Sequence, residues 1–306
     1  MVHQCFRSVQ ALTVENASHW FGNNKVLKDV GFQVGPGQIV SLVGPSGCGK
    51  STLLRAILGT HPPKKGAIWA GGQRIKTPGR HIGIVYQHYT LYDFLTAEQN
   101  VAFGLMLDET ALPFRFFKFW KWWETKVHHI IKARAMLEQV NLGAAAKLYP
   151  REMSGGMRQR VAIAQALVMK PRLLLLDEPF GALDEATREE LQLMLLHLYQ
   201  QNLDAKAAGE EPPYTILIVT HELTEALYVA DRVLGLSQYH DGGEEGATIV
   251  YDRPAPVYHP NDDKSLSDFA AQKDELRKAV FDPAFLQHHQ EYLTFWDEHE
   301  KIGVEQ

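Results

Sequence analysis

Three short apolar runs stand out along the chain: residues 38–43 (QIVSLV), 173–176 (LLLL) and 215–219 (TILIV). Each is too short for a core helix and is bounded by turn or charged residues, so each predicts a strand buried on both faces. Residues 50–58 space their apolar positions as a helix does, directly after the first run. Before residue 40, short β-rich pieces alternate with turn signals at Phe21-Gly22-Asn23-Asn24 and Gly35-Pro36-Gly37. Residues 96–167 read as mostly helical and are too many for one crossover, which predicts an inserted helical subdomain. Strands alternating with helices imply an α/β fold with a parallel sheet. Near Pro254-Ala255-Pro256 the strand pattern stops. Two amphipathic helices are expected after it, at about residues 267–281 and 283–300, the second announced by Asp282 as N-cap and Pro283 at the first helical position. There is no internal repeat.

Composition narrows this picture. The chain has 306 residues, 45% hydrophobic and 22% charged, with a formal net charge of −5. That excludes a wholly disordered chain, and the acidic balance argues against a nucleic-acid binder held by bulk positive charge. Residues 253–306 hold 6 basic and 11 acidic side chains and so carry the whole imbalance. We therefore expect a main domain over 1–252 and an acidic helical extension over 253–306. Two cysteines, Cys5 and Cys48, imply no disulfide framework and suit a reducing compartment. No run of 18 apolar residues occurs, and the N-terminus MVHQCFRSVQ lacks a signal-peptide core. The expected location is the cytoplasm, with room for a partner at the membrane.

Chemistry concentrates at the ends of the buried runs. Gly44, Pro45, Ser46, Gly47, Cys48, Gly49, Lys50 and Ser51 fit the phosphate loop G-x-x-x-x-G-K-[ST], with Thr52 following in the helix. Its glycines let successive N–H groups converge on one anion, and the helix adds its positive end. Lys50 would supply a point charge to the β- and γ-phosphates, and the Ser51 hydroxyl would ligate Mg²⁺. Asp177 and Glu178 close the second run, at the sheet edge where α/β folds bind ligands. Asp177 can enter a Mg²⁺ shell, and Glu178 can polarise a water for in-line attack. Ser154, Gly155, Gly156 and Met157 open a helix, forming a second anion cradle about a hundred residues from the first. A second cradle in one chain suggests service to the nucleotide of another copy.

These motifs together resemble the ABC (ATP-binding cassette) family. GPSGCGKST resembles its Walker A motif, LLLLDEP its Walker B, and MSGGM its signature, usually LSGGQ, with Met153 and Met157 as departures. Gln87 matches the Q-loop, Ala182-Leu183-Asp184 the D-loop and His221 the H-loop, all in family order over about residues 12–250. The resemblance implies an α/β P-loop cassette with a β-rich N-terminal part, a parallel core sheet and an inserted helical subdomain. It implies a head-to-tail dimer closing on two ATP, each held by one chain's phosphate loop and the other's signature helix. Phe21 would stack adenine, with Trp20 as adjacent rival. Gln87 would touch Mg²⁺, His221 would contact the γ-phosphate and hold Glu178 in line, and Asp184 would cross the seam. Cys48 reads as a small filler within the loop. Implied partners are a second ATP-binding subunit, two transmembrane permease subunits and a periplasmic or extracellular solute-binding protein, without nucleic acid. The stretch from SGGMRQRVAIAQAL to VTHELTEALYVADRV looks most like the nitrate/sulfonate/taurine importer group. The rival readings are a lipid-handling or export ABC system, a soluble non-transport ABC ATPase, and a P-loop kinase or GTPase.

Two segments exceed the resemblance. Residues 113–126 (PFRFFKFWKWWETK) interleave seven aromatics with four basic residues. They read either as a core helix with a solvated basic face or as an element for a membrane surface or partner. The acidic tail carries apolar stripes that suit packing on its own cassette. Its His288, His289 and His299 read as solvated rather than metal-binding.

Overall fold

The computed structural model describes residues 10–87, 91–109, 119–181, 183–238, 246–256, 258–260 and 270–281, with the backbone alone at 109 and 119–123. Two sheets organise it. The antiparallel sheet runs β2-β1-β4-β5, from β1 (Leu12–Phe21), β2 (Asn24–Val34), β4 (Lys65–Ala70) and β5 (Gln73–Arg74). The second sheet runs β10-β9-β3-β8-β7-β6, from β3 (Ile39–Val43), β6 (Ile82–Val85), β7 (Leu173–Asp177), β8 (Ile216–Thr220), β9 (Arg232–Leu236) and β10 (Ile249–Pro254). All its pairings are parallel except β9 with β10. A parallel bridge pairs Leu27 of β2 with Ala247, just ahead of β10.

The unbroken apolar runs follow from this layering. In β3, Ile39 and Val43 face the helical side, whereas Val40 and Leu42 face the antiparallel sheet. Leu174 and Leu176 against Leu173 and Leu175 repeat the alternation in β7, as do Ile216 and Ile218 against Leu217 and Val219 in β8. A strand with core on both faces reads as a near-continuous apolar run, and Ser41 in β3 is the polar residue buried within these three alternations.

Helix α1 (Lys50–Leu58) follows β3 and ends at Gly59, whose φ of 85° forms the left-handed cap. The helical layer comprises α2 (Ala97–Glu109), α3 (Phe119–Gln139), α4 (Gly155–Leu167), α5 (Glu185–Ala207) and α6 (Leu223–Val229). Tyr92 and Asn100 lock the entry to α2: Asn100 Oδ1 accepts from the Tyr92 N–H at 2.8 Å, and its amide donates to the carbonyls of Tyr92, Leu95 and Thr96.

The acidic composition of the tail does not mark a break in packing. Helix α7 (Ala270–Val280) buries Leu276 and Val280 fully against β9, where Gly235 leaves room that a Cβ would fill. Gln272 donates to the Pro254 carbonyl at 2.7 Å, and Lys273 to Thr224 Oγ1 at 2.6 Å. The second expected tail helix, the histidines in it and residues 110–118 of the aromatic-basic segment lie outside the described residues. No described helix is long and apolar enough to cross a membrane.

Candidate nucleotide site

Three neighbouring strands deliver the sequence motifs to one edge. β3 runs into the phosphate loop, β7 ends at Asp177 and β8 leads into His221; β8 lies between the other two. Within the loop, Gly47 and Gly49 take φ of 76° and 101°, values that side chains resist. Gly49 also rests on β2, where a Cβ would lie 2.9 Å from Val26 Cγ1. Pro45 is buried and Ser46 exposed on the loop, and Cys48 is fully buried beneath it. Burial pushes the Cys48 thiol up from its ordinary value, so its contribution is packing. A Cβ on Gly44 would meet Cys48 Sγ at 2.7 Å and the Leu236 carbonyl at 2.9 Å.

Lys50 is buried, and its ammonium donates to the Gly44 carbonyl at 2.8 Å and the Pro45 carbonyl at 2.9 Å. An ammonium has three protons, so one remains for an anion. The first turn of α1, with Ser51 exposed and Thr52 half-buried, leaves backbone N–H groups without intrahelical acceptors. Charge and donors therefore converge on one spot, as anion binding requires.

Asp177 and Glu178 are both half-buried. Burial, and next the neighbouring Glu178, push the Asp177 carboxyl above its usual range, while Lys50 and Arg55 pull it back. Glu178 sits at φ 45°, a left-handed backbone that costs a non-glycine residue about 1 kcal/mol or more. Its N–H bonds to the Val219 carbonyl at 2.8 Å and its carbonyl accepts from the Gly181 N–H at 3.3 Å, so the strain is held from two sides. This backbone presents the carboxylate to the next strand, where His221 Nδ1 lies 3.3 Å from Glu178 Oε2. Gln87 joins them: a Cβ on Gly181 would lie 3.5 Å from Gln87 Nε2 and 3.7 Å from Glu178 Oε2. Ser51, Gln87 and Asp177 offer hydroxyl, amide and carboxylate oxygens, a hard donor set that fits Mg²⁺. Mg²⁺ keeps one or two carboxylates beside substrate phosphate oxygens, so such an ion would also take ligands from the nucleotide.

Phe21 and Trp20 separate by strand alternation. Phe21 is 40% exposed at the end of β1 and stacks, tilted, on His19 with centroids 4.8 Å apart. The Trp20 ring lies under the Lys64 ammonium at 5.0 Å.

The second cradle is built on other elements. Ser154 caps α4, its Oγ accepting from the Met157 N–H at 3.2 Å. Ser154 is exposed, Gly155 and Met157 are half-exposed and Gly156 is buried. A Cβ on Gly156 would collide with Thr187 Cγ2 in the first turn of α5. That helix is capped by Asp184, which accepts from the Thr187 N–H at 3.0 Å and from Thr187 Oγ1 at 2.8 Å. Both bonds hold the Asp184 carboxyl below its usual range. Ala182 lies outside the described residues.

The family model for ABC transporter matches residues 27–181. The chain belongs to the ABC transporter family. It is 38% identical over 251 residues to the sulfate/thiosulfate import ATP-binding protein CysA of Gloeobacter violaceus, covering 81% of this chain and 66% of that one. It is 36% identical over 273 residues to the CysA of Thermosynechococcus vestitus, covering 88% of this chain and 72% of that one. The chain thus spans just under two thirds of the Gloeobacter relative's length. A solved dimeric ATP-binding cassette in a post-hydrolysis state, bound to ADP and Pi, superposes with a TM-score of 0.59 at 26% identity, covering 81% of this chain and all of that one. Two features of this ABC fold escaped sequence reasoning. The left-handed backbone of Glu178 has no residue signature, and Thr187, Arg188 and Glu225 read as ordinary helix residues because their partners are remote in sequence.

Proposed function

We propose that this chain hydrolyses ATP to power an ABC importer of a small anion, acting as the motor subunit on the cytoplasmic face of the cell membrane. The observation that carries the reading is the convergence of three strand ends, with His221 Nδ1 3.3 Å from Glu178 Oε2 beside the Lys50 loop. The triphosphate lies on the phosphate-loop N–H groups, with the third Lys50 proton turned to it. Phe21 stacks the adenine. Ser51, Asp177 and Gln87 would hold Mg²⁺, which when bound neutralises phosphate charge. Glu178 orients a water and accepts its proton as the water oxygen bonds to the γ-phosphorus and the bridging P–O bond breaks, yielding ADP and Pi. With its proton on Nδ1, His221 donates to Glu178 and keeps the carboxylate in line.

Two chains close head to tail, each lending Ser154, Gly155, Gly156 and Met157 to the ATP on its sibling's loop, with Asp184 at the seam. ATP adds contacts on both sides and so favours the closed dimer, which hydrolysis releases. The dimeric state of the solved cassette supports this arrangement. Two permease subunits are the partners; the exposed Tyr92 and Phe94, their ring centroids 5.7 Å apart, offer them an aromatic surface. A solute-binding protein would deliver cargo. The relatives' sulfate and thiosulfate are oxyanions, like the cargo of the nitrate/sulfonate/taurine group that the sequence resembles. The test is turnover: Glu178→Gln should bind ATP but hydrolyse it at least about a hundredfold more slowly than the parent chain. Parental turnover in that variant would exclude Glu178 as the base.

A further inference from the structure

The two halves of the proposed site, the seam residues and the hydrolytic residues, are joined by a chain of polar contacts through three side chains the mechanism above does not use, Thr220, Glu225 and Arg188. Thr220, at the end of β8 and 2% exposed, precedes His221. Its hydroxyl accepts from the Glu222 N–H at 3.1 Å and donates to Glu225 Oε2 at 3.3 Å, so the turn carrying His221 hangs on the Glu225 carboxylate. Glu225 is itself buried at 8% exposure. Its other oxygen, Oε1, lies 3.3 Å from Arg188 Nε in the first turn of α5. The Arg188 guanidinium reaches back to donate from Nη2 to the Leu183 carbonyl at 3.2 Å. Leu183 is buried and directly precedes Asp184, whose caps on Thr187 hold that residue against Gly156.

We propose that Arg188 and Glu225 are a positioning pair that ties the Asp184 segment to the His221 turn, so that closure at the seam sets the line of Glu178. The inference rests on the ATPase reading above. A buried carboxylate is costly without its counter-charge; burial is the main influence raising the Glu225 carboxyl, and Arg188 is the first that opposes it. Arg188 suits the role because its guanidinium holds its charge beside the Glu225 carboxylate, as an ion pair with no hydrogen bond from Nε, while Nη2 donates to the Leu183 carbonyl. Neither side chain touches the phosphate loop's hydrogen bonds, so ATP binding and turnover should respond differently to their loss.

The test is a double-mutant cycle on the full chain with Arg188→Met and Glu225→Gln, reading kcat, KM for ATP and melting temperature. Each single change should lower kcat by about tenfold or more, as a small misplacement of a reacting group does. KM for ATP should stay within about threefold, and the double variant should fall no further than the worse single. Three results would each overturn the tie: parental kcat in both folded single variants, losses that multiply in the double variant, or a rise in KM that matches the fall in kcat. Should Arg188→Met fail to fold, Glu225→Gln alone, which keeps a partner for Thr220, still decides between a fallen and a parental kcat. Glu178→Gln run alongside separates the two claims. If it turns over ATP as the parent does, the role of Glu178 as base fails and with it the alignment of Glu178, whereas a fallen kcat in the cycle still shows the pair positioning the His221 turn.

Discussion

A single methyl group at Gly156 tests how the signature helix meets the seam. Gly156 is the second residue of α4 and does not need a left-handed backbone. By helix propensity alone, Gly156→Ala should stabilise the chain by roughly 0.5–1 kcal/mol. The structure opposes this: the new Cβ would collide with Thr187 Cγ2. A threonine is stiff at χ1, and this one is held by its Oγ1 bond to Asp184 at 2.8 Å and by its capped N–H at 3.0 Å. Rotating the methyl away breaks the hydroxyl bond; keeping the bond pushes α4 off α5. Overpacking of this kind costs about 1–3 kcal/mol, so the clash wins and a net loss of about 1–2 kcal/mol is expected by urea unfolding. Ser154 moves with α4, so ATP-driven dimerisation should weaken by about tenfold, the equivalent of ~1.4 kcal/mol. Thr187→Ser removes Cγ2 while keeping both bonds to Asp184, so Gly156→Ala with Thr187→Ser should recover most of the stability and the dimer. A Gly156→Ala chain that is more stable than the parent and dimerises normally would refute the reasoning.

Lys50→Ala should weaken ATP binding by about 10- to 100-fold, from ~1.5–3 kcal/mol for a charge-assisted hydrogen bond, and calorimetric titration showing parental affinity would remove Lys50 from the site. Phe21→Ala should cost about tenfold in ATP affinity through lost stacking, whereas Trp20→Ala, whose ring lies under Lys64, should not; the opposite order would transfer the adenine to Trp20. Asp231, at the head of β9, is raised from 3.8 to about 6, chiefly by burial, with the Tyr199 hydroxyl among the groups that oppose it. Its folded value lies above its unfolded one, so its contribution to stability is present below about pH 4 and is lost as pH rises through about 6. Relative to Asp231→Asn, the parent should lose on the order of 3 kcal/mol across that window; parallel stability curves for the two chains would contradict the burial argument.

What was legible in the sequence was what is contiguous. The phosphate loop, its strand and its helix form one unbroken segment, and α1 occupies residues 50–58 as the apolar spacing predicts. The parallel order of β3, β8 and β7 could be anticipated only as a class, because neighbours such as Val43 and Thr220 are paired from far along the chain. Trp20 and Phe21 remained rivals because composition does not tell which side of a bulged strand faces the site; irregular pairing in β1, with Asn16 at φ 46°, shifts the alternation. The apolar stripe of the tail suits packing on its own cassette, and in α7 Leu276 and Val280, one turn apart, make that contact; the strand they meet, β9, has no local signature. The Arg188–Glu225 contact spans two helices and has no local signature. Gly156 was legible as part of a cradle, but the threonine that fills its missing side chain was not.

On the function proposed above, each nucleotide pocket is completed by a second copy of the chain. The most direct measurement is the mass and bound-nucleotide count of the Glu178→Gln chain with Mg²⁺ and ATP, by light scattering and chromatography of the released nucleotide. A particle of two chains holding two ATP is expected, lost when Ser154 is replaced by a bulky residue. A monomer that encloses one ATP tightly, with affinity indifferent to Ser154, would contradict it.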